Sequence, residues 1–240
     1  MTNSQPNELN VADVLALLAQ GDLDVQGMLP WSSNYTLLAS VSCNGLQGLA
    51  VYKPRRGERP LWDFPRGLFR REIAAWHLSE ALGWGLVPLT IPREGPHGEG
   101  SLQQFVNADF EQHYFTLREL PEHAETLKRL CAFDLVANNA DRKSGHCLLV
   151  GDAIYAIDNG LCFHVEPKLR TVIWDFVGQP VPEPILADLR RFVGRPLPAP
   201  LTALLDEDEC RALRSRARAL LRKGCFPGDV IGHGYPWPLV

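Results

Sequence analysis

Apolar residues recur at helical spacing in Val11–Gln20 (VADVLALLAQ), with Asn10 placed to cap the start and Gly21 to stop it. The pattern then turns to strand-like runs: Leu23–Leu29, Tyr35–Ser42 and Leu46–Lys53. The last two flank Asn44-Gly45, a strong hairpin signal because both turn residues tolerate positive φ. A charged, turn-rich stretch covers 54–65, and Arg66–Leu82 returns to amphipathic helical spacing before Gly83. Leu86–Ile91 reads as a strand, REGPHGEG (93–100) as a turn-rich connector, and Ser101–Val106 (SLQQFV) as a further strand. These elements predict a small antiparallel sheet with one helix inserted after its third strand.

The second half has a different pattern. Glu122–Val136 reads as a helix, and two short strands, Cys147–Val150 and Ala153–Ile157, meet at Gly151-Asp152. Helices are expected near Glu183–Val193 and Asp206–Arg222, and the tail FPGDVIGHGYPWPLV is expected to be irregular. Composition shifts near 107–121, sheet-rich before and helix-rich after. The expectation is an α+β fold of two lobes, 1–106 and 107–240, acting as one domain.

Composition narrows the function. With 24 Lys+Arg against 28 Asp+Glu, the net charge is −4, and no run of like charge reads as a nucleic-acid arm. No apolar stretch reaches the ~18–20 residues needed to cross a bilayer. The start, MTNSQPNELN, lacks a basic-then-apolar signal pattern, so a cytoplasmic location is expected. The six cysteines are widely spaced, without the pairing of a zinc knuckle, and read as small buried thiols.

The chemistry concentrates in NNADRKSGHCLLVGDAIYAIDNG (138–160). Asp141 sits in a loop between a helix and a strand. Two strands joined by a tight turn bring their outer ends together, and His146 and Asp158 are those ends. The frame D-R-K-S-G-H followed by D-N-G matches the D-x-x-x-x-N and D-x-G layout of a kinase catalytic loop. In that layout the first Asp takes the proton of the attacking hydroxyl, and the residue five later and the second Asp hold divalent metal. The same layout requires a lysine on the third strand and a glutamate on the next helix. Lys53 ends AVYK, and Glu72 lies in RREIAAW.

With NYTLLASV, AVYKPRRGE, REIAAWHLSEALGWGLVPLT, GSLQQFV, NNADRKSGHCLL and AIDNGLCFH, the chain resembles the phosphatidylinositol 3-/4-kinase-related branch of the kinase fold over about residues 10–195. That branch includes type II phosphatidylinositol 4-kinases and, more distantly, HipA-like kinases. The resemblance implies ATP in a cleft between the lobes and Mg²⁺ or Mn²⁺ as cofactor. It implies Lys53 on the phosphates, Glu72 holding Lys53, and Gln103, Phe105 and Val106 in the adenine hinge. It makes Asp141 the catalytic aspartate, with His146 and Asp158 as metal ligands. Two departures stand out. His146 replaces the usual asparagine, and the phosphate loop PWSSNYT lacks glycine, leaving backbone and hydroxyls of Ser32, Ser33 and Asn34 to meet phosphate.

The expected acceptor is a hydroxyl, on a protein, lipid head group or small molecule that the sequence does not specify; no nucleic-acid partner is expected. Two alternatives remain: a non-catalytic nucleotide-binding module, and a metal-dependent hydrolase using Asp141, His146, Asp158 and His164. Asn138 and Asn139 read as helix-ending residues, and Arg142 either as an ion-pair partner or a solvated side chain. His164, Lys168 and Arg170 read as a solvated loop, and Trp62, Trp76, Trp84 and Trp174 as packing residues.

Overall fold

Alternation of buried and exposed side chains sets the register of the N-terminal sheet. In the computed structural model, which describes residues 10–29, 35–229 and 234–240, the chain divides into two units. One takes the described residues up to Arg59 together with Leu89–Phe105, and the other takes Pro60–Pro88 and Val106–Val240.

The first unit holds α1 (Val11–Gln20), β1 (Asp22–Met28), β2 (Leu37–Cys43), β3 (Leu46–Pro54), β4 (Thr90–Gly95) and β5 (Gly98–Gln104). The strands form one antiparallel sheet in the order β1-β2-β3-β5-β4. Leu37, Ala39 and Val41 on β2 point inward at period two, and Val14, Leu17 and Leu18 supply the buried stripe of α1. Asn10 caps α1 as expected, its side chain accepting from the Asp13 N–H at 3.0 Å. Asn44 (φ 50°) and Gly45 (φ 80°) are both left-handed, as a two-residue hairpin between β2 and β3 requires. Arg93 reaches back from β4 to the last carbonyls of α1, donating to Leu18 at 2.9 Å and also to Ala19 and Gly21.

Two expectations need correction here. The strand anticipated at Leu86–Ile91 starts only at Thr90, and the connector at 93–100 is the β4–β5 hairpin itself, with Gly95 opposite Gly98. Two of its glycines serve packing, not flexibility. A Cβ at Gly95 would lie 2.8 Å from the Tyr52 ring, and one at Gly100 would collide with the backbone of Lys53.

The second unit holds α2 (Leu68–Leu82), α3 (Tyr114–Leu117), α4 (Ala124–Ala137), β6 (Cys147–Val150), β7 (Ala153–Ala156), α5 (Glu183–Val193), α6 (Ala199–Leu204) and α7 (Glu207–Lys223). Its core joins Ala75, Leu78 and Leu82 of α2, Leu130, Phe133 and Val136 of α4, and Leu189, Leu213 and Ala217 of α5 and α7. The helix inserted after β3 groups with this unit, packing on α5 and α6. It starts two residues late because Gly67 is left-handed (φ 94°). The short α3 and α6 were not anticipated; neither is long enough to show a period. Asp206 and Glu209 form a reciprocal cap at the start of α7.

Of the tryptophans expected to pack, Trp84 is buried and donates to Asp188, whereas Trp62 is 94% exposed. All six cysteines are free; Cys131, Cys147 and Cys162 are buried, and Cys43, Cys210 and Cys225 only partly. No helix among the described residues is long and apolar enough to cross a membrane.

Candidate active site

The loop carrying Asp141 is held by a buried polar network rooted in α4. Asp134 lies in the last turn of that helix and is fully buried. Arg142, also fully buried, donates to it from Nε at 3.1 Å and Nη2 at 3.0 Å. The same guanidinium donates to the Ile157 carbonyl at 2.7 Å and to Asn159 Oδ1 at 2.6 Å. Asn139 and Thr171 complete the shell, each donating to Asp134 at 3.1 Å. Burial raises the Asp134 carboxyl above its ordinary range, against the pull of the Arg142 cation and of the Thr171 and Asn139 donors. One arginine thus ties α4, the loop after it and the segment around Asp158 into a single piece.

The two asparagines do more than end a helix. Asn138 is left-handed (φ 56°) and closes α4. Its side chain also donates to the His164 and Glu166 carbonyls at 2.9 and 2.7 Å and accepts from the Lys168 N–H at 2.9 Å. Asn139 Oδ1 accepts from the Asp141 N–H at 2.9 Å. The Ser144 N–H donates to the Leu239 carbonyl at 2.8 Å, so the C-terminal segment also braces the loop.

On this base the acids converge. Asp141 Oδ2 lies 3.5 Å from Lys143 Nζ. The Asp141 carboxyl is pushed up to about 6, chiefly by burial, with Asp158 adding and Lys143 and Arg142 opposing. Cys147 and Ala156 pair at the outer ends of the β6–β7 hairpin, and the Ile157 N–H donates to the His146 carbonyl at 3.0 Å. This sets Asp158 beside His146, with Oδ2 3.4 Å from Nε2. The other ring nitrogen, Nδ1, accepts from the Lys143 N–H at 3.3 Å across a tight 3₁₀ turn, Ser144–His146.

Asp158 has φ 56°, an uncommon conformation for a residue other than glycine. The turn is held from α2: buried Glu72 Oε2 accepts from the Asn159 N–H at 3.0 Å.

Glu72, Asp141, His146 and Asp158 therefore come together within one unit. Lys53 on β3, Gln103 on β5 and Phe105 belong to the other, and Val106 begins the later segment of the unit that holds the acids. Gln103 buries its side chain, donating to Thr90 Oγ1 at 2.9 Å, and the Phe105 N–H is committed to the Leu49 carbonyl at 3.1 Å. Ser32, Ser33 and Asn34 lie outside the described residues.

The loop expected to be solvated is partly anchored. The His164 ring packs edge-on against Phe64, and Lys168 pairs with Asp63 at 3.3 Å. Among the described residues no group of three or more His, Cys, Asp or Glu side chains is placed to hold a metal ion together.

Sequence reasoning missed Asp134, Lys143, Asn159 and Thr171. Asp134 did leave a signal: an acid in the last turn of an apolar helix (CAFDLVA) opposes the helix dipole and needs a cation nearby.

No family model matches the chain. It is 40% identical over a 265-residue alignment to Protein Rv2133c of Mycobacterium tuberculosis, covering 94% of this chain and 95% of that one. Among solved structures it is similar to the Golgi casein kinase with Mn/ADP bound (TM-score 0.57, 16% identity, 95% of this chain and 80% of that one). It is also similar to the Helicobacter pylori proinflammatory kinase CtkA (TM-score 0.51, 13% identity, 87% of this chain and 94% of that one). At these identities the likeness shows the fold: α+β and kinase-like.

Proposed function

We propose, for a chain that belongs to the family of the Mycobacterium tuberculosis protein Rv2133c, an ATP-dependent phosphotransferase that moves a γ-phosphoryl group to a hydroxyl. Its sequence motifs favour the phosphatidylinositol 3-/4-kinase-related branch. The observation that carries the reading is Asp141, a mostly buried carboxyl raised to about 6, on a braced loop within electrostatic reach of Asp158, in a chain of kinase-like fold.

Each residue has a distinct task. Asp141 accepts the acceptor hydroxyl's proton, and a raised pKa suits a base working near neutrality. Lys143, 3.5 Å from Asp141, adds positive charge where phosphate oxygens gather. Asp158 holds the cation, with Glu72 fixing its turn through Asn159. Lys53 grips the nucleotide phosphates, Ser32, Ser33 and Asn34 cover them, and Gln103, Phe105 and Val106 frame the base.

The donor chemistry fits Mg²⁺ or Mn²⁺, which take a carboxylate or two and complete their shells with phosphate oxygens and water. Such an ion, bound with ATP, neutralises charge on the transferring group. Asp141 and Lys143 do the positioning, which carries most of the rate when little covalent chemistry is needed.

Labelled ATP supplied with Mg²⁺ and Mn²⁺ separately tests the reading. Wild type should transfer or release label, and Asp141→Ala and Asp158→Ala should each lose on the order of 10²–10⁴-fold. Equal rates in all three proteins would reject it. A second reading, a nucleotide-binding module without turnover, draws on the contact of His146 with Asp158. ATP raising the melting temperature without any turnover would favour that reading instead.

A further inference from the structure

We infer that a cavity between the N-terminal ends of α2 and α7 binds a phosphate group, as the free ion or as a phosphomonoester. The cavity holds about 250 Å³ and lies wholly in the second unit. Neither Asp141 nor Asp158 lines it.

Arginine dominates its polar lining. Arg66 and Arg70 line it from exposed positions, and Arg71 from a buried one, 5% exposed. Arg71 donates through Nη2 to Glu209 and through Nη1 to the Cys162 carbonyl, while its Nε has no acceptor among the described residues. The Arg70 side chain donates only to the Ala203 carbonyl, at 2.7 Å, and the Arg66 side chain has no partner among the described residues. Two acids stand opposite. Glu209 accepts from Arg71 and, at 3.0 Å, from the Asp206 N–H. Asp206 Oδ1 accepts from the Glu209 N–H at 2.8 Å. The three guanidinium groups therefore outweigh the acids that face them.

That charge is also poorly placed for α2 unless an anion joins it. The N-cap, Gly67, offers no side chain to the first turn, and the first turn holds no acid. Arg70 and Arg71 stand instead at the positive end of the helix dipole. The start of α7 lines the same cavity and is the reverse case, with a reciprocal Asp206–Glu209 cap and three acids in its first turn. A phosphate supplies α2 with the negative charge that α7 draws from its own sequence.

Size narrows the ligand. The cavity is smaller than the ~300–1,000 Å³ of sites for drug-sized ligands, which suits a phosphate group and not a whole nucleotide. Guanidinium forks match phosphate oxygens in geometry and charge. Arg71 also joins the cavity to the segment beyond Asp158 through the Cys162 carbonyl, and the adjacent Glu72 holds the Asn159 N–H. A phosphate on Arg71 is therefore felt along that segment.

Amide ¹H–¹⁵N spectra test the site, with inorganic phosphate and, separately, glycerol 3-phosphate replacing chloride at constant ionic strength. Saturable shifts are expected at Leu68–Arg71, Asp206–Glu209 and Cys162 with at least one of the two. Tighter saturation by glycerol 3-phosphate points to a phosphomonoester, and equal or weaker saturation to the free ion. The double variant Arg66→Ala/Arg70→Ala, at exposed positions, should weaken binding about tenfold or more. Arg190→Ala/Arg218→Ala removes as much charge from exposed positions outside the cavity lining and should leave binding unchanged. No saturable shift at these residues with either ligand would overturn the inference. So would an affinity that is the same in the two double variants.

Discussion

The sheet of the first unit and the loop system of the second (134–171) are held together in different ways. In the sheet, the ladder runs through backbone groups, and side chains contribute by alternation: Leu37, Ala39 and Val41 inside, their neighbours partly outside. In the loop system, backbone bonds such as Ala140 N–H to the Leu161 carbonyl and Arg142 N–H to the Arg170 carbonyl are scattered, and buried side chains join them. Arg142, Asp134, Asn138, Asn139 and Asn159 make that network, and all five are buried. A backbone ladder tolerates most single substitutions, whereas a side-chain network depends on each member, because a partner left alone in the interior keeps its full desolvation cost.

The sharpest break in that contrast is at the ion pair. Arg142→Ala or Asp134→Ala leaves one buried charge without its partner and should cost about 3–5 kcal/mol, read as a lower urea midpoint. The double replacement Asp134→Leu/Arg142→Met removes both charges and should recover much of that loss. Turnover should not recover with it, because the ties from Arg142 to Ile157 and Asn159 are gone. If stability and turnover return together, the network is packing alone and the contrast with the sheet collapses.

A smaller effect of opposite sign is expected at Asp141. Its carboxyl rises from an ordinary 3.8 to about 6 on folding, mainly through burial. The folded state therefore holds the proton more tightly than the unfolded chain does. Ionised Asp141 costs nothing below about pH 4, progressively more between 4 and 6, and a constant amount above. Asp141→Asn should stabilise the protein by about 1–3 kcal/mol at pH 7–8 and by nearly nothing at pH 4. Thermal melts at the two pH values measure this. In the wild type, kcat/KM should fall on the acid side with a midpoint near 6. A pH-independent gain would mean the substitution relieves packing and not charge.

The same division decides what could be read from sequence. Periodicity located α1 and α5 to the residue, and Asn44-Gly45 fixed one hairpin, because local patterns determine such elements. The second hairpin was hidden because Gly95 and Gly100 look like loop residues and are in fact demanded by close backbone approach. At the site, Asp141, His146, Asp158 and Glu72 were visible through their spacing. Their supports were not: Asp134 meets Thr171 across 37 positions, and Glu72 meets Asn159 across 87. No window on a single sequence shows a hydrogen bond between residues so far apart.

The mildest test sits in the sheet unit and asks whether side-chain bonds there are as dispensable as the contrast demands. Asn10 is the clearest such bond, accepting from Asp13 at 3.0 Å on an exposed helix end. Asn10→Ala should cost about 1 kcal/mol, the usual loss of an N-cap. The effect should stay local, because α1 keeps Val14, Leu17 and Leu18 buried and its carbonyls remain capped by Arg93. Hydrogen exchange should quicken only in the first turn of α1, with the amides of β2 and β3 unchanged. Faster exchange across the whole sheet would show that this unit, too, depends on single side-chain bonds, and the distinction between ladder and network would not hold.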